Sequence, residues 1–336
     1  MEKLISMKDK IFIAGANGMV GSAIKRNLIS SGYGDKSEGG AILSPTRKDL
    51  NLLDFNDVQS WFKNNNPHVV IIAAAKVGGI IANSTSPLDF ILENIKIQTN
   101  LIELSYLNKV RRLLFLGSSC IYPKNSKQPI KEEYLLQGEL EKTNQWYAIA
   151  KISGIKLCQA YRIQKSFDAI SLMPTNLYGS GDNYNLKTSH VMAALIRKFY
   201  EAKENKLNKV VCWGNGSPLR EFLHVDDLAQ ACKYVLERWN PSYKEYESGK
   251  ENLPYLNVGT GQDISIKDLA SKISKKIGFR GQIIWDKEKP NGTYKKQLDI
   301  SRIKSIGWEP CINLDSGIDK AIDSFINERK NLNLRS

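Results

Sequence analysis

The sequence predicts an α/β fold, a doubly wound parallel sheet with a smaller C-terminal α/β domain. Three observations carry that reading. Short apolar runs alternate with amphipathic stretches through the first half of the chain, which is the rhythm of βαβ units. The first run, Ile11-Phe12-Ile13-Ala14, leads into Gly15-Ala16-Asn17-Gly18-Met19-Val20-Gly21 and then into an amphipathic stretch from Ser22 to Ile29. Strand, glycine-rich turn and helix thus follow one another. Beyond Gly179 the rhythm loosens, which marks the second domain.

The strands of the first part are expected at 11–14, 41–44, 69–75, 112–117 and 168–173, each an apolar run of strand length. Helices are expected near 21–31, 55–64, 87–108 and 145–165. Gly181-Asp182-Asn183-Tyr184-Asn185 is a polar turn, followed by a helix near 188–203. Lys209 to Trp213 reads as a strand, closed by Gly214-Asn215-Gly216. A helix from about Asp226 to Trp239 and a strand from Tyr255 to Val258 return to the first sheet. The tail from 262 reads as helical, then extended, then helical, and the polar stretch 240–252 as a surface loop. The implied domains are 1–178, with 221–260 rejoining it, and 179–336, mainly 179–220 and 261–336.

Composition narrows the function classes. A chain of 336 residues with 42% hydrophobic content can build one large or two modest cores. No apolar run approaches the roughly 20 residues of a membrane span. The charged stretch Met1 to Lys10 lacks the apolar segment of a signal peptide. The five cysteines, at 120, 158, 212, 232 and 311, form no C-x-x-C pair. That pattern predicts reduced thiols in the cytoplasm rather than a disulfide framework or a zinc site. Three histidines make a multi-histidine metal centre an unexpected reading, so no metal is expected. The net charge of +13 is dispersed, with no aromatic-basic repeat, which argues against nucleic acid as a partner. The charge fits a Lys- and Asn-rich composition as well as it fits anionic ligands.

The glycine turn supplies the first chemistry. Glycines let the backbone turn sharply and approach a pyrophosphate, which then rests on a helix N-terminus; this is the Rossmann-like arrangement. The spacing is G-x-x-G-x-x-G, not G-x-G-x-x-G, and a turn that binds nothing is the plain alternative. Tyr147 and Lys151 supply the second. Four residues is about one helical turn, so both side chains share a face. An ammonium beside a phenol stabilises the phenolate, and such a tyrosine can pass a proton to a carbonyl oxygen while hydride reaches the carbon. Alone, this spacing is also that of ordinary helix-surface neighbours; behind a dinucleotide turn it points to catalysis.

The second expected strand decides the cofactor. An Asp or Glu at its end would hold the ribose 2′-hydroxyl of NAD. Here Ala41-Ile42-Leu43-Ser44 runs into Pro45-Thr46-Arg47 with no acid among them. Arg47 can pair a 2′-phosphate, so NADP(H) is the expected cofactor.

Gly15-x-x-Gly18-x-x-Gly21, Ser118 and Tyr147-x-x-x-Lys151 together resemble the extended short-chain dehydrogenase/reductase superfamily. Closer motifs are Ala73-Ala74-Ala75-Lys76-Val77-Gly78-Gly79-Ile80 and Gly117-Ser118-Ser119-Cys120-Ile121-Tyr122-Pro123-Lys124. Met173-Pro174-Thr175-Asn176-Leu177-Tyr178-Gly179 and Arg220-Glu221-Phe222-Leu223-His224-Val225-Asp226-Asp227 extend the match. From about residue 10 to 325 the chain resembles the GDP-L-fucose synthases, a family of NADPH-dependent GDP-4-keto-6-deoxy-D-mannose 3,5-epimerases and 4-reductases.

The resemblance implies roles residue by residue. Tyr147 would donate the proton at the C4 ketone, with Lys151 beside it and Ser118 bonded to the same oxygen. Cys120 would act as base and His190 as acid in the epimerisation; an ordinary thiol and an ordinary imidazole both exchange protons near neutrality. Without the resemblance Cys120 reads as a small buried hydrophobe and His190 as a helix cap. Gly15, Asn17, Gly18, Met19, Val20 and Gly21 would surround the dinucleotide, as would Ala74, Lys151, Pro174 and His190. Asp54 would reach the adenine. Relatives often carry a second arginine in the glycine turn where this chain has Asn17, which weakens the NADP preference. Asn176, Lys198, Trp213, Arg220 and Lys296 would hold the GDP-linked 4-keto sugar. Lys198 stands where relatives often have arginine, and a lysine lacks the planar fork. His224 is expected to order the turn before Asp226-Asp227. A homodimer through the helices at 87–108 and 145–165 is implied as well. Two other readings stay open: an enzyme for another GDP-4-keto sugar, a deoxyhexose or a heptose, and a non-catalytic basic protein that binds RNA or a partner.

Overall fold

The computed structural model describes residues 3–185, 188–241, 253–289, 292–332 and 334. Its main sheet has six parallel strands. They are β1 (Lys10–Ala14), β2 (Ala41–Leu43), β3 (Val69–Ile72), β4 (Arg112–Leu116), β5 (Ala169–Pro174) and the strand Tyr255–Val258. Their spatial order is β2-β1-β3-β4-β5 followed by Tyr255–Val258. The order reverses between β1 and β3, the switch point beside which open α/β sheets bind ligands. β3 and β4 are buried along their whole length, as expected for strands covered on both faces.

Helices α1 (Met19–Ser30), α2 (Phe55–Asn65), α3 (Ile80–Thr85), α4 (Pro87–Leu107) and α5 (Gln145–Lys165) cover this sheet. The expected helix at 87–108 is preceded by a separate short one. The break falls at Ser86, because the residue before a proline is pushed out of the helical region and Pro87 then starts a new helix. α5 lies close on β4 because Gly154 has no side chain. A Cβ there would come within 2.6 Å of Phe115 Cζ and 2.9 Å of Gln98 Cδ. Phe115 is fully buried, and truncating such a ring costs about 3–5 kcal/mol.

The remainder is built from short pieces. β6 (Asn176–Tyr178) pairs in parallel with β8 (Leu219–His224), and β7 (Lys209–Trp213) pairs in parallel with the strand Gln282–Asp286. α6 (Val191–Glu204) and the helix Ile266–Ile277 pack over them. α7 (Val225–Arg238) returns the chain to the main sheet, packed beside α1. His224 caps α7, its Nδ1 accepting from Asp226 N at 3.2 Å, as the sequence suggests.

Buried apolar side chains fall into two clusters. One gathers the six-stranded sheet with α1, α2, α4, α5 and α7. It also takes in Leu298, Ile300, Ile303 and Trp308 from the tail. The other gathers α6, β7, the helix Ile266–Ile277 and the helix Leu314–Lys330. Of the expected surface loop 240–252, residues 242–252 lie outside the described residues.

Candidate active site

The glycine turn is built for close approach. Gly15 has φ +86°, in the left-handed region, and a Cβ on it would lie 2.7 Å from Ala74 N. A Cβ on Gly21 would lie 2.1 Å from Gly15 O. The turn therefore presses α1 and the residues after β3 against one another, with Ala74 at the contact. Gly18 caps α1 without a side-chain hydrogen bond, and no acidic residue stands in the first turn. The open N–H groups and the helix dipole suit a pyrophosphate. Asn17 is exposed beside them.

The end of β2 suits a phosphorylated ribose. Arg47 is exposed there. The nearest acid, Asp49, is engaged: it accepts from Thr46 N at 2.8 Å and Thr46 Oγ1 at 2.7 Å, closing the turn. A second cation stands close by, Lys25, whose Nζ donates to Ser44 Oγ at 2.9 Å. The sequence reading missed it because Lys25 lies on α1, far along the chain from β2. Asp54 is exposed and caps α2, accepting from Asp57 N at 3.0 Å, so the structure gives it a structural task beside the one the sequence suggests. These residues fit NADP(H).

The chemistry-bearing side chains gather beyond β4. The strand ends at Leu116, and Ser118 opens a short turn, its Oγ accepting from Cys120 N at 3.2 Å. The turn carries the half-buried Cys120 toward α5. On α5, Lys151 is almost wholly buried, and its Nζ donates to Leu116 O at 2.8 Å. The same Nζ lies 4.8 Å from the centre of the Phe115 ring and 5.8 Å from that of Tyr147. Phe90 of α4 packs edge-on against Tyr147, centroids 6.5 Å apart.

Burial dominates the electrostatics, which differs from the expected lowered tyrosine pKa. Desolvation pushes the Tyr147 phenol above its ordinary value, the Cys120 thiol adds to that, and a hydrogen bond with Ser118 opposes it. The Lys151 ammonium, also desolvated, is brought down to about 7, against an opposing pull from Cys120. Burial thus opposes the charge of the lysine as it opposes that of the phenol. Ser118, Cys120, Tyr147 and Lys151 form one interacting group.

Of the remaining candidates, Arg220 alone has an interaction with this group among the described residues. His190 caps α6 with no side-chain hydrogen bond. It is exposed to solvent. Its segment is tied to the loop after β3 through Gly79 N, which donates to Thr188 O at 3.0 Å. Burial lowers the Arg220 pKa, opposed by the Cys120 thiol and by the Glu141 carboxylate. Its guanidinium donates to Leu219 O at 2.8 Å and, among the described residues, has no carboxylate ion-pair partner. Lys296 pairs with Arg220 in register, which sets two cations side by side. Asn176 is tied to Glu221 O at 2.8 Å, and Pro174 ends β5, buried. Lys198 and Trp213 form a pair of their own, Nζ 5.5 Å from the ring centre, with Lys198 donating to Val211 O at 3.0 Å.

The model for the NAD dependent epimerase/dehydratase family matches residues 11–249. The chain belongs to the NAD dependent epimerase/dehydratase family. Within this family the chain is 50% identical to the putative GDP-L-fucose synthase 2 of Arabidopsis thaliana, over 96% of this chain and 93% of that protein. It is 47% identical to the GDP-L-fucose synthase of Escherichia coli K12, over 95% of this chain and 97% of that protein. Among solved structures, a GDP-mannoheptose C4 reductase from Campylobacter jejuni with NADP bound superposes with TM-score 0.84 at 35% identity. The match covers 96% of this chain and 99% of that one.

Proposed function

We propose that the chain converts GDP-4-keto-6-deoxy-D-mannose to GDP-L-fucose by 3,5-epimerisation and NADPH-dependent 4-reduction. The observation that carries this reading is the Cys120 thiol within the Ser118–Tyr147–Lys151 group. Reduction alone needs a proton donor at the ketone and a polar partner, which Tyr147 and Ser118 supply. A thiol beside them adds the proton-transfer group that epimerisation needs. Extensive identity to GDP-L-fucose synthases supports the same reading.

The resemblance of these residues to the family's pattern supports the following roles. The diphosphate anchors on Arg220 and Lys296, with Asn176 nearby. Cys120 takes the proton from the carbon alpha to the ketone, and Tyr147 and Ser118 hydrogen-bond the enolate oxygen as its charge develops. His190 returns a proton on the opposite face. Tyr147 then gives its proton to O4. NADPH, when bound, supplies the hydride. Gly15, Gly18, Met19, Val20, Gly21, Ala74 and Pro174 shape its cradle, and Arg47 takes its 2′-phosphate. Residues 1–178 with 221–260 form the dinucleotide unit; 179–220 and most of 261–336 form the substrate unit.

A homodimer fits α4 and α5, which pack on each other and expose Leu88, Leu92, Trp146, Ile149 and Ile163. A cytoplasmic location fits five unpaired cysteines. Among the described residues no helix is long and apolar enough to cross a membrane.

A second reading has a specific support, the 35% identity and TM-score 0.84 to a GDP-mannoheptose reductase. Oxidation of NADPH measured against a panel of GDP-4-keto hexoses and heptoses separates the two. Preferential turnover of GDP-4-keto-6-deoxy-D-mannose supports the proposal, and preference for a heptose overturns it.

A further inference from the structure

Glu221 has no solvent exposure and lies on β8 directly after Arg220. Successive side chains leave a strand on opposite faces, so the two residues serve different sides of the sheet. On its side, Glu221 Oε1 accepts from Thr260 N at 2.6 Å and Gly261 N at 2.7 Å, and Oε2 accepts from Leu298 N at 2.8 Å. Its backbone oxygen accepts from Asn176 Nδ2 at 2.8 Å and Thr175 Oγ1 at 3.2 Å. Among the described residues no lysine or arginine forms an ion pair with it. A Cβ on Gly259 would lie 2.1 Å from Oε1, so only glycine leaves room there.

These bonds reach a neighbour of each diphosphate candidate. Arg220 is the adjacent residue. Leu298 follows Lys296 by two positions, on the chain that pairs Lys296 with Arg220. Asn176 is bonded to the backbone carbonyl of Glu221, a bond that any residue there would offer. A carboxylate is the side chain that can accept from three N–H groups at once, since both of its oxygens are acceptors only. A carboxamide in its place turns one acceptor into a donor facing an N–H group.

We propose that Glu221 is a positioning residue for the substrate diphosphate. Its carboxylate holds the 260–261 turn and the 295–298 chain against β8 so that Arg220 and Lys296 face one anion. The inference rests on the reading of these two residues as diphosphate ligands.

The test measures the Kd of GDP and the Kd of NADPH by calorimetry on the native chain, Arg220→Ala, Glu221→Gln and Glu221→Asp. Arg220→Ala is expected to weaken GDP and leave NADPH unchanged. Glu221→Gln is expected to weaken GDP by about tenfold, in the range for loss of a group that orients a ligand-binding residue, again with NADPH unchanged. Glu221→Asp, which keeps the charge and shortens the reach, is expected to weaken GDP as well, and it stands in should the glutamine variant not fold. A purely structural role would lower Tm while leaving both dissociation constants of the folded protein alone. Native-like GDP binding by a folded Glu221 variant, with Arg220→Ala impaired, overturns this inference alone. Native-like GDP binding by Arg220→Ala overturns the diphosphate reading and the inference with it.

Discussion

Lys151 and Tyr147 stand one turn apart on α5, the lysine Nζ 5.8 Å from the centre of the tyrosine ring and bonded to the Leu116 carbonyl. Lys151 is fastened to the end of β4, while Tyr147 packs on Phe90 of α4. Both groups are shifted toward their neutral forms, because burial penalises the charged form of each. A neutral phenol is the state needed in a proton donor.

Tyr147→Phe keeps the ring that packs on Phe90 and removes the hydroxyl. Cofactor binding should be retained. The hydride step should fall at least about a hundredfold, the low end for loss of a general acid. Single-turnover NADPH oxidation checks this, and near-native rates would remove Tyr147 from the chemistry.

Lys151 makes stability depend on pH. Its pKa in the folded chain is about 7, whereas an unfolded lysine titrates near ~10.4. The unfolded state therefore binds more protons between those values, and stability rises with pH across that window. The cost of burying the ammonium is fully present below about 7 and fades as pH rises. Lys151→Met lacks this cost. Its Tm minus the native Tm should be most positive near pH 6 and should shrink by pH 10, measured by thermal melts without ligand. A difference that stays constant with pH would contradict the assignment.

Arg47→Ala should raise the KM for NADPH and leave that for NADH nearly unchanged, because only NADPH carries the 2′-phosphate. Lys25, bonded to Ser44 at the same strand end, should retain part of the preference. Equal use of both cofactors by the native chain would show that the Asn17 position outweighs Arg47.

Much of this arrangement is legible in the sequence. The strand Tyr255–Val258 is foreseen residue for residue, and α5 falls at 145–165 as its pattern predicts. What was not legible lies where partners are distant in sequence. β8 gives little strand signal because Arg220 and Glu221 interrupt its apolar run, and what satisfies Glu221 comes from Thr260, Gly261 and Leu298. β3 was expected to run to 75 but ends at Ile72, and Asn94 of α4 takes over the backbone of Lys76. No local pattern announces a side chain doing a strand's work. The balance of burial and charge at Tyr147 is likewise set by packing, which spacing alone does not report.

Cys120→Ser should separate the two halves of the reaction. A serine hydroxyl is a far weaker acid than a thiol, so its base form is scarce, while Tyr147, Lys151 and the glycine turn stay intact. The variant should incorporate little deuterium at C3 and C5 in heavy water yet still reduce the ketone slowly, giving a sugar of the unepimerised configuration. Full exchange at both carbons would reduce Cys120 to a packing residue.

The most direct measurement uses the native chain, supplied with GDP-4-keto-6-deoxy-D-mannose and NADPH in heavy water, with the product read by mass spectrometry and proton NMR. The account predicts GDP-L-fucose carrying deuterium at both C3 and C5. A reduced product without deuterium at those carbons, in the configuration of the starting sugar, would contradict it.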